Sequence, residues 1–151
     1  YNSMNNLQTI LEMWKTDSVI DEVNLDETSR DSAKLHGKYL ELLSINRMKL
    51  KKAELDFKVV LKDKWLHYNG KMSKEDIDDK GWDYDPLNGL TVLKGDMDRY
   101  YDADPLIQEW QAKIQYLEEL CSTLKEILEN IKWRHQNIKN MIEWRKFTSG
   151  I

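Results

Sequence analysis

From Asp104-Pro105 to the end of the chain, apolar residues return at steps of three and four, and this stripe constrains the fold more than any other feature. It runs through Ile107, Trp110, Ile114, Leu117, Cys121, Leu124, Leu128, Ile131, His135, Ile138 and Ile142, with only His135 departing from apolar character. Such spacing keeps every member on one face of an α-helix. Aspartate followed by proline supplies an N-cap and a first helical position that needs no N–H donor. A helix from Pro105 to Phe147 would be about 64 Å long at roughly 1.5 Å per residue. No small core buries one face of so long a rod, so it needs partner helices along its length. Leu106, Leu120, Ile127 and Met141 widen the stripe beyond a two-stranded seam. The expectation is a bundle of more than two helices that includes other subunits. Trp110, Ile114, Leu117, Cys121, Leu124, Leu128, Ile131, Ile138 and Ile142 are its candidate oligomerisation residues.

A second helical pattern precedes it. Asn24 or Asp26 offers an N-cap, and apolar positions step through Leu35, Tyr39, Leu42, Leu50, Ala53, Phe57, Val60 and Tyr68 to a stop at Asn69-Gly70. Asn46 and Lys64 interrupt this seam as polar breaks, of the kind that fixes register or partner number. A shorter helix is expected over 4–17, with Leu7, Ile10, Leu11 and Trp14 on one face. Between the long helices, residues 70–104 lose the apolar periodicity while Gly70, Gly81, Asn88-Gly89 and Gly95 recur. That arm reads as irregular, with one short helix capped at Ser73 through Asp76 and a short strand over Leu90 to Lys94. The expected organisation is one all-α domain, 1–151, made of long helices in a bundle or coiled-coil-like oligomer. Its parts are a short N-terminal helix in 1–23, a long helix in 24–69, an acidic irregular arm in 70–104 and a long oligomerisation helix in 105–148.

At 151 residues the length suits one domain. The net charge of −4 conceals strong segmentation. Residues 12–31 hold seven acids against two bases, and 75–104 hold ten acids against three. Residues 47–71 reverse the balance with eight bases against three acids, and 132–146 with five against one. Alternating blocks of this size matter for steering an anionic partner in a way the total does not.

Catalytic constellations are missing from the pattern. His36, His67 and His135 lack paired spacing for zinc, and His135 on the seam reads as an internal hydrogen-bonded residue. Cys121, the only cysteine, excludes an internal disulfide and reads as a small apolar filler. No glycine-rich loop precedes a helix, and Asp96, Asp98, Asp102 and Asp104 lack EF-hand spacing. Neither enzyme activity nor a cofactor or metal is expected. There is no apolar run long enough to span a membrane. Tyr1 to Thr9 lack the order of a secretion signal. A reducing cytoplasm is the expected setting.

The stretch Phe57 to Lys71 carries the functional signal. Lys51, Lys58, Lys62 and Trp65 fall near whole helical turns, so they share a face, and His67, Tyr68 and Lys71 follow as the helix ends. Lysines neutralise phosphates while rings stack on bases, which is how sequence-indifferent single-strand binders work. The plainer reading makes Trp65 and Tyr68 core residues and the lysines a solvated face. The candidate nucleic-acid contacts are Lys58, Lys62, Lys64, Trp65, His67, Tyr68 and Lys71.

This stretch also resembles the basic motif L-K-A-R-L-D-Y-Y-x-G of the UvsY family, the recombination mediators of T-even-like phages. The matching run is Leu61, Lys62, Asp63, Lys64, Trp65, Leu66, His67, Tyr68, Asn69, Gly70. The resemblance continues in Thr91-Val92-Leu93, in Asp104 and Trp110, and in Ile131-Lys132, Arg134, Ile138-Lys139, Arg145, Phe147 and Gly150. It implies a homo-hexameric or heptameric ring that binds single-stranded DNA in the host cytoplasm. That ring helps load the phage recombinase in place of the single-strand-binding protein during recombination, repair and recombination-dependent replication. Lys62 and Lys64 then inherit the motif's two basic positions, with Asp63 replacing a small neutral residue between them. Lysine at the second gives up the planar fork of arginine. The rival reading is a structural helical assembly chaperone or scaffold that does not bind DNA.

Overall fold

A computed structural model of the chain describes residues 6–150. Five helices follow one another: α1 (Leu7–Asp17), α2 (Leu25–Tyr68), α3 (Lys74–Lys80), α4 (Met97–Ala103) and α5 (Pro105–Thr148). No strand forms among the described residues, and the fold is all-α. Met4, expected in the first helix, lies outside the described residues; α1 is capped instead by Asn6, whose side chain accepts from the Gln8 N–H. The expected strand over Leu90 to Lys94 is irregular, and after it the arm contains a second short helix, α4. Sequence periodicity could not reveal α4, because none of its side chains is buried.

Helix ends follow their local chemistry. After α2, Gly70 adopts φ 68°. Its N–H donates to the His67 carbonyl and that of Lys71 to the Leu66 carbonyl. This paired closure satisfies terminal carbonyls and needs a left-handed residue, which glycine supplies without strain. Ser73 caps α3 by accepting from the Asp76 N–H at 3.1 Å. Asp104 caps α5, its Oδ1 accepting from the N–H groups of Leu106 (2.9 Å) and Ile107 (3.0 Å).

The chain forms two compact units, residues 1–49 with 117–151 and residues 50–116. The first draws buried apolar side chains from three helices: Ile10 of α1, Tyr39, Leu42 and Leu43 of α2, and Leu120, Leu124, Ile131 and Ile138 of α5. Each such burial contributes on the order of 1.5–3 kcal/mol. Asp17 ties the three together. Its carboxylate accepts from Lys38 Nζ and the Tyr39 hydroxyl, both at 2.8 Å, and its carbonyl accepts from Arg134 at 2.7 Å. Arg134 also donates to the Val19 carbonyl. Burial works to raise the Asp17 pKa, but the bonds from Lys38 and Tyr39 outweigh it and hold the carboxyl below its ordinary value.

The same packing places the residues of the terminal stripe. Leu117, Cys121, Leu124, Ile131 and Ile138 are buried within a single chain, so they serve its own core before any contact between subunits. Trp110, Ile114, Leu128 and Ile142 keep partial exposure. His135, expected inside, is exposed, and its neighbour Arg134 occupies the buried position. Cys121 is buried and free, and burial pushes its thiol pKa up, as suits an inert filler.

Candidate nucleic-acid interface

The second unit contains the whole basic motif, and α2 divides it between two faces. Helical geometry puts Lys51, Lys58, Lys62 and Trp65 on one side and Ala53, Val60, Lys64 and His67 on the other. All four residues of the first set are exposed, Trp65 at 39%. Leu55, also exposed, lies among them. Lys71, just past the helix end, sets its ammonium 4.8 Å from the centroid of the Trp65 ring. Neither Lys51, Lys58 nor Lys71 has a carboxylate within 4.0 Å among the described residues. Lys62 lies 3.5 Å from Asp63, whose other oxygen is taken by Lys80 at 3.2 Å. Surface pairs of this kind are weak and readily exchanged for another anion.

The opposite face is largely withdrawn from solvent. Lys64 is only 8% exposed. Its Nζ lies 3.0 Å from Asp104 Oδ2 and 4.0 Å from the centroid of the Trp82 ring. The Tyr68 hydroxyl donates to the same Asp104 oxygen at 2.6 Å, and its ring stands 5.7 Å from that of Tyr100. Burial works to raise the Asp104 pKa. The hydrogen bonds from Tyr68, the Ile107 N–H and Lys64 prevail and hold it below the usual value. Tyr68 responds in the opposite sense: burial and then the carboxylate raise its pKa far above that of a free phenol.

His67, 5% exposed, donates through Nε2 to the Asp83 carbonyl at 2.6 Å and packs 5.0 Å from Trp82. Its other ring nitrogen is buried without a partner among the described residues. Tyr101 closes the cluster by donating to the Leu61 carbonyl at 3.2 Å.

The seven candidate contacts therefore separate. Lys58, Lys62, Trp65 and Lys71 face solvent. Lys64, His67 and Tyr68 do not: they fasten α2 to the arm and to the cap of α5. By sequence Lys64 is both a polar break on the apolar seam and a candidate phosphate contact, and the seam position is the one it occupies. Sequence reasoning missed Trp82 here, and it read Asp104 as a helix cap without connecting it to Lys64. Neither lies near Lys64 in the chain, and no spacing rule couples them. Among the described residues no group of histidine, cysteine, aspartate and glutamate side chains is arranged to hold a metal ion. Nor is any helix among them long and apolar enough to cross a membrane.

The chain is an all-α protein that displays a row of exposed lysines beside an exposed indole. Residues 13–151 match the family described as recombination, repair and ssDNA binding protein UvsY, and the chain belongs to that family. Its role in general is the family's, binding single-stranded DNA in phage recombination and repair.

The fold is similar to crystal structures of the bacteriophage T4 recombination mediator protein UvsY. With lattice type II the TM-score is 0.83 at 24% identity, covering 95% of this chain and 98% of that one. With lattice type I it is 0.79 at 25% identity, covering 94% and 98%. Comparison with curated protein sequences returns no match.

Proposed function

We propose that this protein is a recombination mediator that works as a ring-like homo-oligomer, hexameric or heptameric. It binds single-stranded DNA through the exposed face of α2 and helps load the phage recombinase in place of the single-strand-binding protein. Recombination, repair and recombination-dependent replication are the processes it serves, in the host cytoplasm. The observation that carries this reading is the row Lys51, Lys58 and Lys62 beside Trp65 and Lys71, with its ammonium groups free or only weakly paired.

Each part has a physical task. The lysines displace counterions from phosphates, and the indole offers a stacking surface to any base. One such patch binds modestly. Repeated around a ring it becomes a multivalent site whose later contacts form at high effective concentration. DNA held this way is constrained in shape, which weakens a competitor's grip and leaves a segment the recombinase can occupy. No bond is made or broken, so the work is positioning alone.

Fluorescence anisotropy with a labelled oligo(dT) tests the reading directly. Binding that weakens steeply as salt rises, and exceeds that for a duplex of equal length, is expected. A wild-type oligomer indifferent to the oligonucleotide at low ionic strength would return the protein to the scaffold reading.

A further inference from the structure

Within the first unit, α2 and α5 border an open groove of about 690 Å³. Leu40, Leu43, Leu128 and Ile131 give it an apolar lining, and Arg47, Lys125 and Lys132 supply cationic side chains, with Glu129 as the one acid. None of these three cations has a carboxylate within 4.0 Å among the described residues. The groove thus combines aliphatic side chains with Ser32, His36, His135 and an excess of positive charge, and it is open.

The same chain carries a segment of matching chemistry in its second unit. Between α3 and α4, residues 83–96 hold three aspartates against the single base Lys94. Asp85 shapes this segment, its side chain accepting from the Gly89 N–H at 2.9 Å. Asn88 and Gly89 both take positive φ, 52° and 82°, as a tight turn demands. Leu90 and Leu93 follow that turn at 73% and 69% exposure. Two large aliphatic side chains held in water on an acidic loop call for a cover that is apolar and basic.

From this complementarity we infer that the groove is the receptor for the Leu90–Leu93 loop of a second copy of the chain. The inference rests on the oligomeric reading above and names the surfaces that make it. Groove and loop are different patches, so each chain offers both halves of a heterologous contact. Such a contact does not stop at a dimer, and where its rotation divides a full turn evenly it closes into a ring. The charge pairing selects the loop's orientation and speeds encounter, while the leucines supply the buried area.

Sedimentation velocity on the full chain tests this. Lys125→Glu with Lys132→Glu alters only the groove, and Leu90→Asp with Leu93→Asp alters only the loop; all four positions are exposed. Each double variant is expected to lose the assembled boundary while keeping its helical circular dichroism. An equimolar mixture should regain a two-chain species, since each variant retains the half the other lacks. Either variant sedimenting like an oligomeric wild type, or a mixture with no two-chain species, would overturn the assignment and leave the DNA-binding reading untouched. A wild type that is itself monomeric would remove both this contact and the ring.

A second measurement does not depend on disruptive variants. Leu93→Cys with Lys125→Cys, in a Cys121→Ser background, is expected to form interchain disulfides on oxidation. Bridges found only within one chain would mean the loop closes on its own groove, which contradicts the proposal.

Discussion

The ammonium of Lys64 lies 3.0 Å from the carboxylate of Asp104, forty residues on, and both side chains are buried. Asp104 uses its other oxygen to cap α5, so one aspartate joins the basic motif, the acidic arm and the last helix. A lysine in such a bond is a structural cation. Its charge is neutralised before any DNA arrives, and withdrawing it would leave a buried carboxylate without its cation.

Lys64→Ala is therefore expected to act on stability more than on affinity. Breaking a buried pair by removing one partner costs about 3–5 kcal/mol. Asp104→Ala should cost at least as much, because it also removes a helix cap worth about 1 kcal/mol. Urea denaturation followed by circular dichroism measures both. A midpoint unchanged from wild type would show that the pair contributes nothing.

On the exposed face the expectation is reversed. Lys58→Ala with Lys62→Ala should leave the unfolding free energy within about 0.5 kcal/mol of wild type. It should weaken single-strand binding in every sequence context. The slope of log affinity against log salt should fall by about 0.7 for each phosphate that is no longer neutralised. Anisotropy titrations at several salt concentrations give that slope.

Trp65→Ala removes a ring available for stacking and should reduce binding by about 1–3 kcal/mol per bound chain. Trp65→Phe should restore part of it. Quenching of tryptophan emission on adding oligo(dT), diminished in either variant, reports the same stacking by an independent signal.

Stability should vary with pH on both sides of neutrality. Asp17 and Asp104 have folded pKa values below the ordinary 3.8. Their contribution is complete above that value and disappears as pH falls through the lower folded values. Tyr39 and Tyr68 have folded values raised above the ordinary 10.0. Their contribution is complete below pH 10 and is lost as pH rises beyond it. Thermal denaturation from about pH 3 to about pH 11, a window that brackets the ordinary carboxylate and phenol values, should give a plateau with two declining flanks. Asp104→Asn should flatten the acidic flank.

Periodicity and capping made much of the fold legible. The α-class, the long last helix with its Asp104-Pro105 start, the stop at Gly70 and the Ser73 cap all rest on interactions between residues close in sequence. What stayed hidden depends on distant partners. The Lys64 helical face was readable from its register with Ala53 and Val60, yet the arrival of Asp104 and Trp82 was not. The run from Leu90 to Lys94 suggested a strand, but a strand needs a neighbour to pair with and none forms among the described residues. His135 and Arg134 differ by one position, about a hundred degrees of helix, and the hydrogen bonds to the Asp17 and Val19 carbonyls draw the arginine inward.

The two faces of α2 assign DNA contact to some of the motif's lysines and not to others. Salt-dependent anisotropy of oligo(dT) binding, comparing Lys58→Ala/Lys62→Ala with Lys64→Met, decides it most directly, since methionine fills the buried site without a charge. A reduced salt slope for the first variant and a wild-type slope for the folded second variant is the predicted result. The reverse, with Lys64→Met losing the slope while the exposed pair is dispensable, would contradict the assignment of the two faces.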